Sequence, residues 1–189
     1  MFKIICVTNR KLCVGDFLSR VGELHKEGVT VILREKDLNE SEYAELAEKV
    51  IKVCPDVILH TYTEAAKRLN ADKIHLPYSM LNPNMGFKIT GVSVHSAKEA
   101  ADAEKLGADY VTAGHIFHTD CKKGLAPRGL EFLKESVDAV SIPVYAIGGI
   151  TPDNIAEIKE TGAAGACIMS GFMQCENVGK YMEKVRKVD

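Results

Sequence analysis

Apolar and polar positions along this chain follow two patterns that alternate from one end to the other. Short apolar runs closed by a breaker or a polar cluster read as buried strands. The segments between them carry apolar residues at helical spacing. Lys3–Thr8 is the first strand, and Asp16 then caps a helix whose Phe17, Val21 and Leu24 recur on one face until Gly28 closes it. Val29–Arg34 is the second strand, and Asn39 with Glu42 three residues on forms a capping box for a helix over Glu40–Val53. Asp56–His60 is the third strand, with a short helix from Thr63 to Leu69, and Lys73–Leu76 is the fourth, stopped by Pro77.

Tyr78–Gly86 is rich in breakers and poor in periodicity, so its helix is short or degenerate. Phe87–Val94 contains the fifth strand, and Ser96 with Glu99 is a second capping box, opening a helix that runs to Leu106. Tyr110–Ala113, ending at Gly114, is the sixth strand, and Leu130–Val140 the helix after it. Pro143–Ile147 is the seventh strand; Thr151-Pro152 supplies an N-cap and a first helical residue for a helix ending at Gly162. Ala166–Met169 is the eighth strand, with a last helix near Asn177–Val188.

Eight β/α units without interruption predict an α/β fold, a compact (β/α)8 TIM barrel, as a single domain over residues 1–189. A doubly wound open sheet is the competitor. The repeated helix-to-strand joint, Gly107-Ala108-Asp109 and Gly162-Ala163-Ala164, favours the barrel. Composition narrows the function class. A net charge of -2 gives no reason to expect nucleic acid or an anionic membrane as partner. No apolar run approaches the roughly 18–20 residues needed to span a bilayer, and the chain enters a strand without a signal-like leader, so a cytoplasmic location is expected. The six cysteines include no C-x-x-C pair, which argues against a zinc ribbon and for reduced, mostly buried thiols.

In a barrel, chemistry sits just past the carboxyl ends of the strands. Those ends read Thr8-Asn9-Arg10, Arg34-Glu35-Lys36, His60-Thr61, His75, Ser93 with His95, His115, Gly148-Gly149 and Ser170-Gly171. His115 directly follows the sixth strand, beside Thr119 and Lys122, and is the candidate acid/base group, since imidazole titrates near neutrality. Gly148 and Gly149 let backbone approach a ligand, and Ser170-Gly171 repeats the arrangement one strand later; together these two loops predict a phosphate site. Arg34 and Lys36 flank Glu35, so that one of the two cations can meet a second anionic group, most simply a carboxylate. For His60 and His75 the expectation is a strand-end histidine hydrogen-bonded to backbone.

Arg34-Glu35-Lys36, Ile74-His75-Leu76, Gly91–His95, Ala108-Asp109-Tyr110, Gly114-x-x-Phe117-x-Thr119, Ala146–Ile150 and the Ile168–Gly171 region resemble the thiamin phosphate synthase superfamily over nearly the whole chain. That resemblance implies a TIM barrel and a phosphorylated thiazole as small-molecule ligand, and it allows a homo-oligomer. It also implies roles for Ser93, Thr119 and Lys122 in substrate binding and for Gly148, Gly149, Met169, Ser170 and Gly171 in phosphate binding. The chain departs from the synthase pattern where two aspartates would bind magnesium under a pyrophosphate: Thr61 and Met80 stand there, and neither is a hard anionic ligand. Its Gly114–Gly124 run instead resembles the thiazole tautomerase (TenI-like) branch. The expectation from that branch is an isomerase that aromatises a carboxythiazole phosphate, with His115 moving the proton and with neither metal nor organic cofactor. The alternatives are a thiamin phosphate synthase and a non-catalytic regulatory homologue that keeps the phosphate pocket.

Overall fold

Eight parallel strands pair in chain order and close on themselves: β1 (Lys3–Val7), β2 (Thr30–Leu33), β3 (Ile58–His60), β4 (Lys73–Pro77), β5 (Ile89–Val94), β6 (Tyr110–Gly114), β7 (Val144–Ile147) and β8 (Gly165–Ile168), with β8 returning to β1. This arrangement comes from a computed structural model that describes residues 2–119 and 124–187. Eight α-helices among the described residues surround the strands: α1 (Phe17–Lys26), α2 (Glu40–Val53), α3 (Thr63–Arg68), α4 (Ala97–Lys105), α5 (Gly129–Asp138), α6 (Ile155–Glu160), α7 (Ser170–Gln174) and α8 (Val178–Arg186). The predicted TIM barrel is the observed fold.

Period-two alternation along each strand divides the buried residues into two sets. Cys6, Val31, Leu33, Leu59, Ile74, Leu76, Val92, Val94, Val111, Ala113, Val144, Ala146, Ala166 and Ile168 pack outward against helix residues such as Leu24, Ala47, Leu133 and Ile158. Ile5, Val7, Ile32, Ile58, Tyr110, Tyr145 and Cys167 form a separate cluster, the barrel interior. The same parity carries Arg34, His60, His75 and Ser93 to the inner side of the mouth. Gly91 makes this layer possible, because a Cβ there would lie 1.9 Å from the Tyr110 ring.

The expected caps are present at α1, where Asp16 accepts from the Ser19 N–H, and at α2, where Asn39 and Glu42 form the full capping box. Two expectations need correction. At α4, Ser96 accepts from the Glu99 N–H, but the Glu99 carboxylate reaches back to the His95 N–H at 2.7 Å, one residue before the cap. Thr151 does not cap α6. Its N–H donates to Asn154 Oδ1 at 2.9 Å and its hydroxyl accepts from the Asp153 N–H, a turn that holds off the helix until Ile155. Between β4 and β5 the chain makes one 3-10 turn, Tyr78–Met80, with no α-helix, as the breakers there imply.

Candidate functional site at the carboxyl ends of the strands

The mouth of the barrel is organised by a buried carboxylate that the sequence presents as one member of a charge cluster. Glu35, following β2, is 2% exposed. It accepts from the Thr8 hydroxyl at 2.7 Å, the Arg10 N–H at 3.0 Å and the Arg10 guanidinium at 3.2 Å. Thr8 in turn accepts from the Arg34 N–H at 3.0 Å. Arg10 also makes a two-pronged pair with Asp37, at 2.6 and 2.8 Å, which holds the Asp37 carboxyl well below the usual range. The R-E-K run therefore splits by parity: Glu35 ties β1 to β2, while Arg34 and Lys36 fall on the other side, toward the mouth.

Beside them lies a cavity of about 250 Å³ lined by Glu35, Lys36, His60, Thr61, Tyr62 and Pro77. His60 and His75 are neighbours in register and stack at 5.4 Å. His60 Nδ1 is 2.6 Å from the Thr61 hydroxyl. His75 bonds Tyr110 through Nδ1 at 3.0 Å and Ser93 through Nε2 at 2.8 Å, and Thr112 donates to the Ser93 hydroxyl at 3.2 Å. Both rings are thus held by side-chain hydroxyls rather than by backbone, contrary to expectation. Burial pushes the His60 pKa down to about 2, with His75, Arg34 and Lys36 adding to the shift, and that of His75 down to about 3, with Arg34 adding. The two imidazoles are neutral, and the positive charge near them belongs to Arg34 and Lys36.

His115 lies on the opposite side of the mouth, since β2 and β6 are four strands apart around the ring. It is 5% exposed, with Nε2 3.4 Å from the Leu125 carbonyl, and the Gly114–His115 peptide is cis. Its loop is laid along the end of β7: Ile116 donates to Ile147 and Phe117 to Gly148. This contact explains Gly148 and Gly149. Both have positive φ, +102° and +68°, and a Cβ would meet His115 Cβ at 2.3 Å or the His118 carbonyl at 2.4 Å. Gly171 is likewise forced by packing, because a Cβ would fall 2.0 Å from the Tyr181 hydroxyl. Ser170 opens α7, whose first N–H groups have no acceptor inside the helix. Because β7 pairs β8, the Gly148-Gly149 and Met169–Gly171 loops are adjacent. Thr119 is half-buried and His118 exposed; Lys122 lies outside the described residues.

The magnesium that the resemblance associates with the synthase finds no suitable ligands at the two aspartate positions. Thr61, at φ +69°, has its hydroxyl against His60, and Met80 packs on the outer core. Neither side chain offers a carboxylate, so these two positions do not fit a divalent magnesium ion.

Comparison with known proteins corrects the expected activity. Residues 4–172 match the family described as thiamine monophosphate synthase. The thiamine-phosphate synthase of Fusobacterium nucleatum is 33% identical, covering 98% of this chain and 96% of its own. That of Desulfitobacterium hafniense is 37% identical, covering 93% and 91%. A solved thiamine phosphate pyrophosphorylase from Pyrococcus furiosus superposes with a TM-score of 0.85 at 32% identity, covering 99% and 95%. These relatives carry the name of a transferase along their full length. They overturn the isomerase reading, which rested on one loop and on two missing aspartates, in favour of the synthase alternative. By the extent of this similarity, the chain belongs to the thiamine monophosphate synthase family.

Proposed function

We propose that this protein is a transferase of the thiamine-phosphate synthase type, joining a phosphorylated thiazole to hydroxymethylpyrimidine diphosphate. The near-full-length similarity to thiamine-phosphate synthases carries the reading. The mouth supports it with two separate regions suited to anions, as two phosphorylated substrates require. The adjacent loops after β7 and β8 present backbone N–H groups for the thiazole phosphate, with Gly148, Gly149, Met169, Ser170 and Gly171. Arg34 and Lys36, beside the cavity at β2 and β3, suit the diphosphate.

In the reaction the thiazole ring nitrogen attacks the exocyclic methylene carbon of the pyrimidine. A C–N bond forms, the C–O bond to the diphosphate breaks, and pyrophosphate leaves with both bonding electrons. Negative charge therefore develops on the diphosphate oxygens, where Arg34 and Lys36 stabilise it. The neutral His60 and His75 add no competing charge, and their hydroxyl contacts fix the floor beneath the substrate. Ser93 belongs to that floor; His115 and Thr119 belong to the facing wall, where we assign the thiazole. We place the reaction in the cytoplasm; no helix among the described residues is long and apolar enough to cross a membrane.

Complementation tests the proposal. The gene should restore growth without thiamine to a bacterium lacking its own thiamine-phosphate synthase, and Arg34→Gln with Lys36→Gln should abolish the rescue. Failure of the wild-type gene, with the protein shown to be expressed and folded, contradicts the reading.

A further inference from the structure

We propose that His25, Cys54 and Asp56 form a binding site for a borderline-soft divalent cation, zinc being the first candidate, on the face of the barrel opposite the mouth. The inference is independent of the proposed activity. His25 lies in the last turn of α1, Cys54 is the residue that ends α2, and Asp56 sits in the short connection into β3. All three are therefore at the end where the chain enters its strands, far from the substrate cavity.

The geometry suits a tetrahedral ion. His25 Nδ1 is 3.0 Å from Asp56 Oδ1, Cys54 Sγ is 3.5 Å from the same oxygen, and the three ligand atoms lie within 4.8 Å of one another. Zinc bonds of about 2.0–2.3 Å imply ligand–ligand edges of roughly 3.3–3.7 Å, so small rotations of the two exposed side chains complete the site. Among the described residues, no other trio of His, Cys, Asp and Glu ligand atoms comes together in this way.

The donor set of thiolate, imidazole and carboxylate selects zinc, cobalt or cadmium over magnesium or calcium. Its charges balance, since thiolate and carboxylate neutralise a divalent ion. The carboxyl ends of α1 and α2 both point here, and their dipoles favour a cation. The ligands are held by rigid elements: the Cys54 N–H donates to the Val50 carbonyl at 2.8 Å, and the Cys54 carbonyl accepts from Val57 at 3.1 Å. Cys54 is buried, while the His25 and Asp56 side chains are 40% and 54% exposed, which leaves the outer coordination position to water. Lys73 is a neighbouring cation, its ammonium 3.5 Å from the Asp56 carbonyl oxygen. Without metal, burial followed by the Asp56 charge pushes the Cys54 thiol up to about 12, and it donates to Asp56. Binding replaces that S–H bond with a metal–sulfur bond and sends the proton to solvent.

Cobalt(II) titration of the reduced, full-length protein tests the site. The expected result is one equivalent bound, with a thiolate-to-cobalt charge-transfer band and tetrahedral visible bands that zinc then displaces. Cys54→Ser should remove the charge-transfer band, His25→Gln should weaken binding at least ~10-fold, and Cys13→Ser should change neither. Zinc at a hundred times its Kd should raise the unfolding midpoint of the wild type by roughly 5–10 °C. Absence of the thiolate band in the wild type overturns the proposal, as does its persistence in Cys54→Ser. Should Cys54→Ser fail to fold, His25→Gln decides, because the residue is exposed: an unchanged cobalt affinity overturns the site.

Discussion

Replacing Glu35 with Ala should destabilise the protein far more than its place in a charged run would suggest. The carboxylate receives the Thr8 hydroxyl, the Arg10 N–H and the Arg10 guanidinium. Deleting it strands a fully buried Thr8 hydroxyl and a backbone donor, besides leaving Arg10 with Asp37 alone. Breaking a buried charged network by removing one member costs about 3–5 kcal/mol. Arg10 is 28% exposed, so water recovers part of its loss, and the expectation lies near the lower bound, about 3 kcal/mol. In a chain of this length each kcal/mol moves the unfolding midpoint by about 2–4 °C, so Glu35→Ala should lower it by roughly 6–12 °C. Glu35→Gln, which keeps the shape but loses the charge and turns one acceptor into a donor, should fall between the two. Asp37→Asn touches only the exposed half of the Arg10 network and should move the midpoint much less. Circular dichroism melts of the three variants make the comparison. A drop below about 2 °C for Glu35→Ala, or one no larger than that of Asp37→Asn, refutes the reasoning.

Four further outcomes are expected. His60 and His75 are held neutral, with folded pKa values of about 2 and 3 against an ordinary histidine value of about 6.5, so below that value the unfolded chain binds protons that the native state does not. Their contribution is complete above pH ~6.5 and is lost on acidification at up to ~1.4 kcal/mol per pH unit for each ring; His75→Asn should flatten the fall of the melting midpoint between pH 6 and 4, and an unchanged slope would contradict the assignment. Gly149→Val combines a positive φ with a clash against the His118 carbonyl and should disturb the His115 loop and stability together, so a fully stable variant is the unexpected result. Magnesium at millimolar concentration, without substrate, should leave the melting midpoint unchanged, because Thr61 and Met80 supply no carboxylate; a rise would reveal a site elsewhere. Arg34→Gln or Lys36→Gln should lower turnover at least ~10²-fold in steady-state assays, and wild-type rates in both would remove them from the site.

The barrel was legible because the strand period and the helix period each repeat without conflict, so local pattern and closure agree. The positions of Arg34, His60, His75 and Ser93 followed from their places at strand ends. What the sequence concealed was partnership. Nothing local distinguishes Glu35, buried between β1 and β2, from a solvated neighbour of two cations, since its donors Thr8 and Arg10 arrive from another strand. Gly148 and Gly149 read as ligand-facing glycines, and the structure adds a different demand, the close passage of the His115 loop. Asn154, two residues past the Thr151-Pro152 pair, delays α6 by bonding back to Thr151. His25, Cys54 and Asp56 span the α1 end, the α2 end and the entry to β3, and only the packing of the first two helices brings them together. The tautomerase expectation fails for a related reason: a few residues in one loop carry less than similarity that covers nearly the whole chain.

Incubating the purified protein with the thiazole phosphate and hydroxymethylpyrimidine diphosphate in magnesium-containing buffer, and identifying the products by mass spectrometry, tests the proposed transfer itself. Thiamin phosphate and pyrophosphate are expected in equal amounts, formed only when both substrates are present. No coupled product from folded protein, under conditions in which the Fusobacterium nucleatum relative turns over, would contradict it.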